Sequence, residues 1–424
     1  MQFPIETYRL PNGLRVVLSE DHAAPIVAVN LWYHVGSGHE RAGRTGFAHL
    51  FEHMLFQGSE HVGANQHFEL VQRAGGTLNG STWYDRTNYF ETLPSHYVEL
   101  ALWLEADRMG HLLPAMTQEK LDNQRDVVKN ERRWTVDNQP YGTWTERLPA
   151  LAFPASHPFH HSILGSMEDL DAATLDDISA FFRTHYTPDN AVLTIAGDFD
   201  AAAVRAMVTR HFGPIPRGPG AEPLGSTVMP PVFGAPLREV IQDDVPLARV
   251  FVAFRVPPFG SDGWYAAAVC GAILGYRRGS RLYRALVREQ QVASDVGTFT
   301  FDLTKGADLL VVDASARPGI DAPALEAAIV RTVDRLIADG ATPSETDRAL
   351  ALVETDFIAA MQGAQERADR LSLFTTYFDD PARLNGELAR FRAVAPAAVT
   401  AFARERLVAT NRATLIYVPR EATS

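Results

Sequence analysis

The chain has a single cysteine, Cys270, in 424 residues, which excludes an intramolecular disulfide and any multi-cysteine metal site. It is short of positive charge. Lys and Arg number 39 against 51 Asp and Glu, and the formal net charge of −12 argues against a nucleic-acid backbone as partner. Long apolar runs are lacking too, since the longest stretch of small apolar residues, Ala266 to Gly275, is too short to span a bilayer. The opening residues Met1-Gln2-Phe3-Pro4-Ile5-Glu6 carry no basic start and no apolar stretch. A cytoplasmic protein is therefore expected, with a periplasmic one whose leader has been removed as the alternative, because a lone cysteine suits either compartment. No Walker loop, dinucleotide fingerprint or serine nucleophile elbow is present.

What remains is an ordinary globular composition, 46% hydrophobic and 21% charged, over a length that calls for at least two domains. Seven prolines between Gly213 and Pro236 deny that stretch both helix and strand, so it reads as a linker. The expected division is 1–212, a linker at 213–237, and 238–424. The two sides match each other at an offset of 221 residues: Pro25–Leu31 falls on Pro246–Val252, Thr87–Glu91 on Asp308–Val312, and Asn190–Leu193 on Asn411–Thr414. Each pair is a β-like run followed by a helical pattern, such as Tyr97 to Met109 and Ala322 to Leu336. Three coincidences at one offset point to an internal duplication, and each half is expected to fold as an α+β layer of sheet and helices.

The halves differ in chemistry. All 14 histidines lie between His22 and His211. At the constant offset His49, Glu52 and His53 fall on Cys270, Ile273 and Leu274, so one half has polar equipment where the other has core residues. The segment Gly46 to Phe56 reads as an amphipathic helix with Phe47, Leu50, Phe51, Met54 and Leu55 on one arc and His49, Glu52 and His53 on the other. Histidines at i and i+4 can aim both imidazoles at one ion, and Glu52 sits beside them without having to ligate. A third protein ligand is expected for a catalytic zinc site. The helical stretch Leu121 to Trp134 offers Glu131, which shares a face with Gln124 and Val128, but spacing alone does not choose it over Glu119 or Glu146.

Other features read more plainly. Arg277, Arg281, Arg284 and Arg288 recur at helical spacing and suggest a solvated or interface stripe. His157, His160 and His161 have no carboxylate at ligand spacing and suit loop and capping roles. Cys270, among small apolar neighbours, reads as a buried side chain. Asn79-Gly80, before Trp83, reads as a turn.

His49-Leu50-Phe51-Glu52-His53, Gly75 to Thr82 and Val127 to Arg132, with His157-Pro158-Phe159, Gly165 to Leu170 and Tyr186 to Asn190, together resemble the pitrilysin-type peptidases, the M16-like inverzincin family that includes mitochondrial processing peptidase. The likeness covers essentially the whole chain and matches the short, two-domain members. It implies two tandem homologous α+β domains of that metallohydrolase type and a zinc-dependent endopeptidase acting on peptides or unfolded segments. By the same resemblance His49, His53 and Glu131 are the zinc ligands, Glu52 is the general base, and Asn79 and Gly80 lie on an edge strand that takes the peptide by strand addition.

Two departures from the family pattern stand out. Many members have a second glutamate seven residues before the third ligand, where this chain has Gln124, an amide that can hydrogen-bond from a supporting position but supplies no charge. The family's C-terminal arginine is kept as Arg288, but Asp295 stands where a tyrosine belongs, and an anion there opposes oxyanion stabilisation. The resemblance thus implies a heterodimer in which a non-identical homologous subunit supplies the arginine and tyrosine. Alternatives are a homodimer drawing on Tyr276 or Tyr283, a dedicated precursor-processing peptidase, and a catalytically silent assembly subunit of the same fold.

Overall fold

In a computed structural model of the protein, the described residues are 2–221, 224 and 227–420. Among them the strands form two sheets. The first contains β1 (Glu6–Arg9), β2 (Arg15–Glu20), β3 (Ile26–Tyr33), β4 (Thr77–Thr82), β5 (Thr87–Pro94) and β6 (Ala191–Gly197), in the order β1-β2-β6-β3-β5-β4. The second contains β7 (Leu237–Asp243), β8 (Arg249–Val256), β9 (Ala293–Thr300), β10 (Asp308–Ala316) and β11 (Arg412–Pro419), in the order β7-β11-β8-β10-β9. The central strands β3, β6 and β8 are rich in β-branched and aromatic residues and buried almost throughout, as strands with neighbours on both edges and a covered face require.

The duplication expected at offset 221 is visible in the topology. After β1 the two sheets have the same strand order, and in each one pair is parallel, β2 with β6 and β7 with β11. Even the register is kept: Asn30 faces Thr194 in the first sheet, and the residues 221 further on, Phe251 and Leu415, face each other in the second.

The domain boundaries differ from the division expected from the sequence. The chain forms two compact units, but the first consists of Met1–Arg132, His161–Leu224 and Ile358–Gly386, and the second of Arg133–His160, Gly225–Phe357 and Glu387–Ser424. Each sequence half therefore lends a segment to the other half's sheet. In the first unit the lent helix Ala364–Phe378 lies on β3 and β6, where Ala364 and Ala368 meet Ala28 and Ala196, small enough for close approach. In the second unit the lent helix Trp144–Ala152 lies on β7, β8 and β11. There the Trp144 indole stacks on Phe251 at 5.1 Å between centroids, and Arg255 Nη2 donates to the Ala152 carbonyl at 2.7 Å. The proline-rich stretch shows no helix or strand among its described residues; residues 222, 223, 225 and 226 of the expected linker lie outside them.

Two smaller expectations divide. Cys270 is buried in the helix Asp262–Gly275, and burial pushes its thiol pKa up to about 12. The arginine stripe is not simply solvated: Arg281 pairs with Glu345 at 2.7 Å and Arg277 with Asp356 at 2.6 Å, inside the second unit. No helix among the described residues is long and apolar enough to cross a membrane.

Candidate metal centre

The helix Phe47–Met54 carries the His-x-x-Glu-His segment. Its apolar arc seats it: Phe51 stacks on Phe181 and Tyr186 with centroids 5.3 and 5.0 Å away, and Phe47, Leu50 and Met54 are buried with it. The chain enters through Gly46 in the left-handed region at φ 87°, where a Cβ would meet the Leu164 carbonyl oxygen at 2.5 Å, so only glycine fits. The amides at this helix start are not capped by a neighbouring side chain. Glu40 does it from a distance, accepting from Gly46 N and Ala48 N at 2.8 Å each. A carboxylate there is favoured by the open amides and the positive end of the helix dipole. Glu40 is fully enclosed and also bonds His161 Nε2 at 3.1 Å. Burial raises the Glu40 pKa, and the hydrogen bonds from His161 and the two amides pull against that rise.

His49 and His53, one turn apart, bring their rings to 4.8 Å between centroids. From the second half of the helix Gln118–Arg132, Glu131 reaches across to both, with Oε1 3.7 Å from His49 Nε2 and Oε2 3.1 Å from His53 Nε2. One ligand atom from each of the three residues lies within 4.8 Å of the others. Burial pulls the His49 pKa down to about 4, so its imidazole is neutral near pH 7, the form that ligates a metal. The hydrogen bond from His53 holds Glu131 below the usual carboxylate range. Two neutral-capable imidazoles and an ionised carboxylate, converging from two helices, are a donor set that fits zinc.

Glu52 lies between this triplet and β4. Its Oε2 accepts from Thr82 Oγ1 at 2.6 Å. Burial raises its pKa, against the lowering effects of Thr82, His53 and Arg86. β4 is an edge strand, so Asn79-Gly80 is not the turn that the dipeptide suggests: Asn79 faces Phe90 and Gly80 faces Tyr89 in the ladder with β5. A Cβ on Gly80 would stand 3.0 Å from Glu52 Cγ and 3.3 Å from Phe56, tighter than ordinary contact, so a side chain there would have to displace Glu52 or Phe56. Glu52, His53, Phe56, Phe68, Asn79 and Gln124 line one cavity of about 230 Å³. Gln124 is buried there and directs an amide N–H to Asn123 Oδ1 at 2.8 Å.

The structure thus brings together His49, His53 and Glu131, with Glu52, Asn79, Gly80 and Gln124 around them. Arg288 and Asp295 belong to the second unit, where both are exposed, and Asp295 Oδ1 accepts from Ser294 Oγ at 3.0 Å. Of the three clustered histidines, His157 and His160 serve loop contacts, accepting from Phe159 N at 3.1 Å and bonding the Phe153 carbonyl at 2.7 Å. Glu40, His161 and Thr82 support the site and were not singled out for it from the sequence; no local spacing ties them to the helix they hold.

Two sheets of one topology, only one of them, among the described residues, accompanied by the His49–His53–Glu131 triplet with a second carboxylate, Glu52, nearby, define a duplicated α+β protein with a single equipped unit. Residues 15–163 match the family described as insulinase (peptidase family M16), and residues 172–353 match the peptidase M16 inactive domain. The chain belongs to peptidase family M16. A zinc protease named PqqE from Helicobacter pylori is 30% identical over 374 residues, 88% of this chain and 83% of that one. A probable mitochondrial-processing peptidase subunit beta from Arabidopsis thaliana is 29% identical over 266 residues, 63% of this chain and 49% of the other. The crystal structure of a protease from Helicobacter pylori has the same fold, with a TM-score of 0.92 at 28% identity over 99% of this chain and all of that one.

Proposed function

We propose that the chain is the metal-bearing subunit of a zinc-dependent endopeptidase that cuts peptides or unfolded segments. The observation carrying this reading is the convergence of His49, His53 and Glu131 within 4.8 Å, with Glu52 held between them and an open strand edge. Zinc in that triplet supplies a Lewis acid that polarises the scissile carbonyl and makes water more acidic. The chain's own residues do the rest. An extended peptide pairs with the free edge of β4 through main-chain hydrogen bonds, which tolerate many sequences. Gly80 leaves the peptide backbone close to Glu52. Glu52 takes the proton of the attacking water and passes it to the leaving amine, and Thr82 keeps its carboxylate aimed.

A non-identical homologous subunit completes the site. Support comes from Asp295, an anion at the position where the family has its tyrosine, and from a relative that is named as a subunit. The cytoplasm is the setting we favour, with the periplasm as the alternative.

Hydrolysis of a quenched fluorescent unstructured peptide tests the reading, using the full chain with and without a homologous partner encoded beside it. Activity that needs the partner and is lost by about 10²–10⁴-fold in Glu52→Gln, and likewise with a chelator, is the expected result. Full activity of the chain alone removes the partner. Silence in every combination with no zinc taken up returns the chain to an assembly role.

A further inference from the structure

A second cluster of ligating side chains lies in the first unit, apart from the triplet. The loop after the helix Phe47–Met54 is locked by Gly58, at φ 90° with the Val62 carbonyl 2.5 Å from where a Cβ would be, and by the bond from Ser59 N to Val62 O at 2.8 Å. This sets Glu60 and His61 at the tip of the turn, in solvent. Glu60 N bonds the carbonyl of His111 at 3.0 Å, which pins the loop to the last residue of the helix Val98–His111. Glu60 Oε2 then lies 3.0 Å from His111 Nδ1, much as Glu131 lies from His53. The His61 and His111 rings stand 5.0 Å apart, nearly perpendicular. One ligand atom from each of Glu60, His61 and His111 falls within 4.8 Å of the others.

A pair of surface ion pairs would also place a carboxylate near each imidazole, but the lower layer is more specific than that. Asp107 is buried at 4% exposure, takes the Ser59 hydroxyl on Oδ2, and holds His61 Nδ1 on Oδ1 at 2.6 Å. A buried carboxylate on one ring nitrogen fixes the tautomer and leaves Nε2 outward as the lone-pair donor, the arrangement typical of ligating histidines. A divalent cation held at this point would meet two imidazoles and one carboxylate, brought together from the loop and from the end of the helix. His61, Asp107 and His111 line a cavity of about 420 Å³ that leaves room for water at the remaining coordination positions.

We infer that Glu60, His61 and His111 form a second divalent-cation site, of the zinc-preferring histidine–histidine–carboxylate kind, which staples the loop following the His49–His53 helix onto the helix Val98–His111. Because its ligands are exposed, it binds more weakly than an enclosed site and responds to the concentration of free metal.

The test is a Zn²⁺ titration of the chelator-stripped full chain, read by native mass spectrometry and by thermal unfolding. Three proteins are compared: the parent, His61→Ala with His111→Ala, and His49→Ala with His53→Ala. The parent should take up two zinc ions. The His49/His53 variant should keep one and show a Tm that rises with added Zn²⁺, because a ligand that binds only the folded state stabilises it. In the His61/His111 variant the weaker uptake should fall at least about tenfold. Both substituted side chains of that variant are exposed, and each single substitution, checked by circular dichroism, guards against misfolding. A second zinc that survives loss of His61 and His111 overturns the inference, as does a His49/His53 variant that takes up none. Uptake at the surface cluster without uptake at the triplet would sink the proposed function and leave this site standing.

Discussion

The Thr82 hydroxyl donates to Glu52 Oε2 across 2.6 Å, so an edge-strand residue aims the carboxylate of a helix residue. A general base works only within hydrogen-bond reach of the proton it removes, and its aim is part of its rate. Thr82→Val keeps the shape and β-branching of the side chain while removing the donor. We expect kcat to fall about tenfold, with KM and zinc content nearly unchanged, and Thr82→Ser to recover most of the loss. A KM effect with kcat intact would mean that Thr82 acts on the peptide rather than on Glu52.

Glu40 makes a comparable prediction one layer deeper. Its side chain, out of contact with solvent, satisfies Gly46 N and Ala48 N at the start of the ligand-bearing helix and meets the partly exposed His161. Glu40→Ala leaves the two amides buried and unmet, at a cost of about 2–3 kcal/mol of folding free energy. It should also weaken zinc binding, since His49 sits in the first turn of that helix. Thermal unfolding and zinc competition measure the two effects. A stable variant with unchanged affinity would show that the helix start is held by its apolar arc alone.

How far the sequence reveals this arrangement depends on how local each feature is. His49, Glu52 and His53 share one helix turn, so their spacing states their geometry. Glu131 lies far along the chain, and only resemblance selected it from among several glutamates. Asn79-Gly80 has the composition of a turn, yet its backbone is set by pairing with Phe90 and Tyr89, partners that no local window contains. The duplication was legible because strand patterns survive at a fixed offset. The exchange of helices was not, because Trp144 finds Phe251 more than a hundred residues away and the proline-rich stretch between them reads as an ordinary boundary. Glu40 and Thr82 carry no motif at all; their roles exist only once the tertiary fold brings them to the helix.

The ion pair of Glu345 with Arg281 gives a pH dependence. Arg281 Nε and Nη2 fork onto the two carboxylate oxygens at 2.8 and 2.7 Å, and Thr342 adds its amide and hydroxyl. Hydrogen bonding to Arg281 lowers the Glu345 pKa to about 2, against the upward push of burial. A carboxylate whose folded pKa lies below its unfolded value stabilises the protein above the unfolded pKa, and that contribution disappears as pH falls through the folded one. Glu345→Gln should therefore cost on the order of 1–2 kcal/mol at pH 7, after allowance for solvent screening, and the gap to the parent should close between about pH 4.5 and 2. Denaturant melts across that range measure it; a gap independent of pH would mean that shape rather than charge is at work.

Asp369 tests the helix exchange. It sits on the lent helix Ala364–Phe378, and its Oδ1 accepts from Trp32 Nε1 at 2.9 Å, Asn88 Nδ2 at 3.1 Å and Asn30 Nδ2 at 3.3 Å, all three donors being on the first sheet. Trp32, Asn30 and Asn88 are at most 2% exposed, so water cannot easily take over if the carboxylate is removed. Asp369→Ala should destabilise the first unit by about 2–4 kcal/mol, because a charged acceptor serving several buried donors is lost at once. Hydrogen exchange should quicken across Ile358–Gly386 and along β3, since the helix is one face of that strand's packing. The exposed pair of Arg392 with Glu354 provides the control: Glu354→Gln should change stability by less than about 0.5 kcal/mol. If Asp369→Ala frees the helix while β3 stays as protected as before, the lent segment is an accessory to the first unit rather than part of its core, and the loss of stability should then be no larger than that of the control.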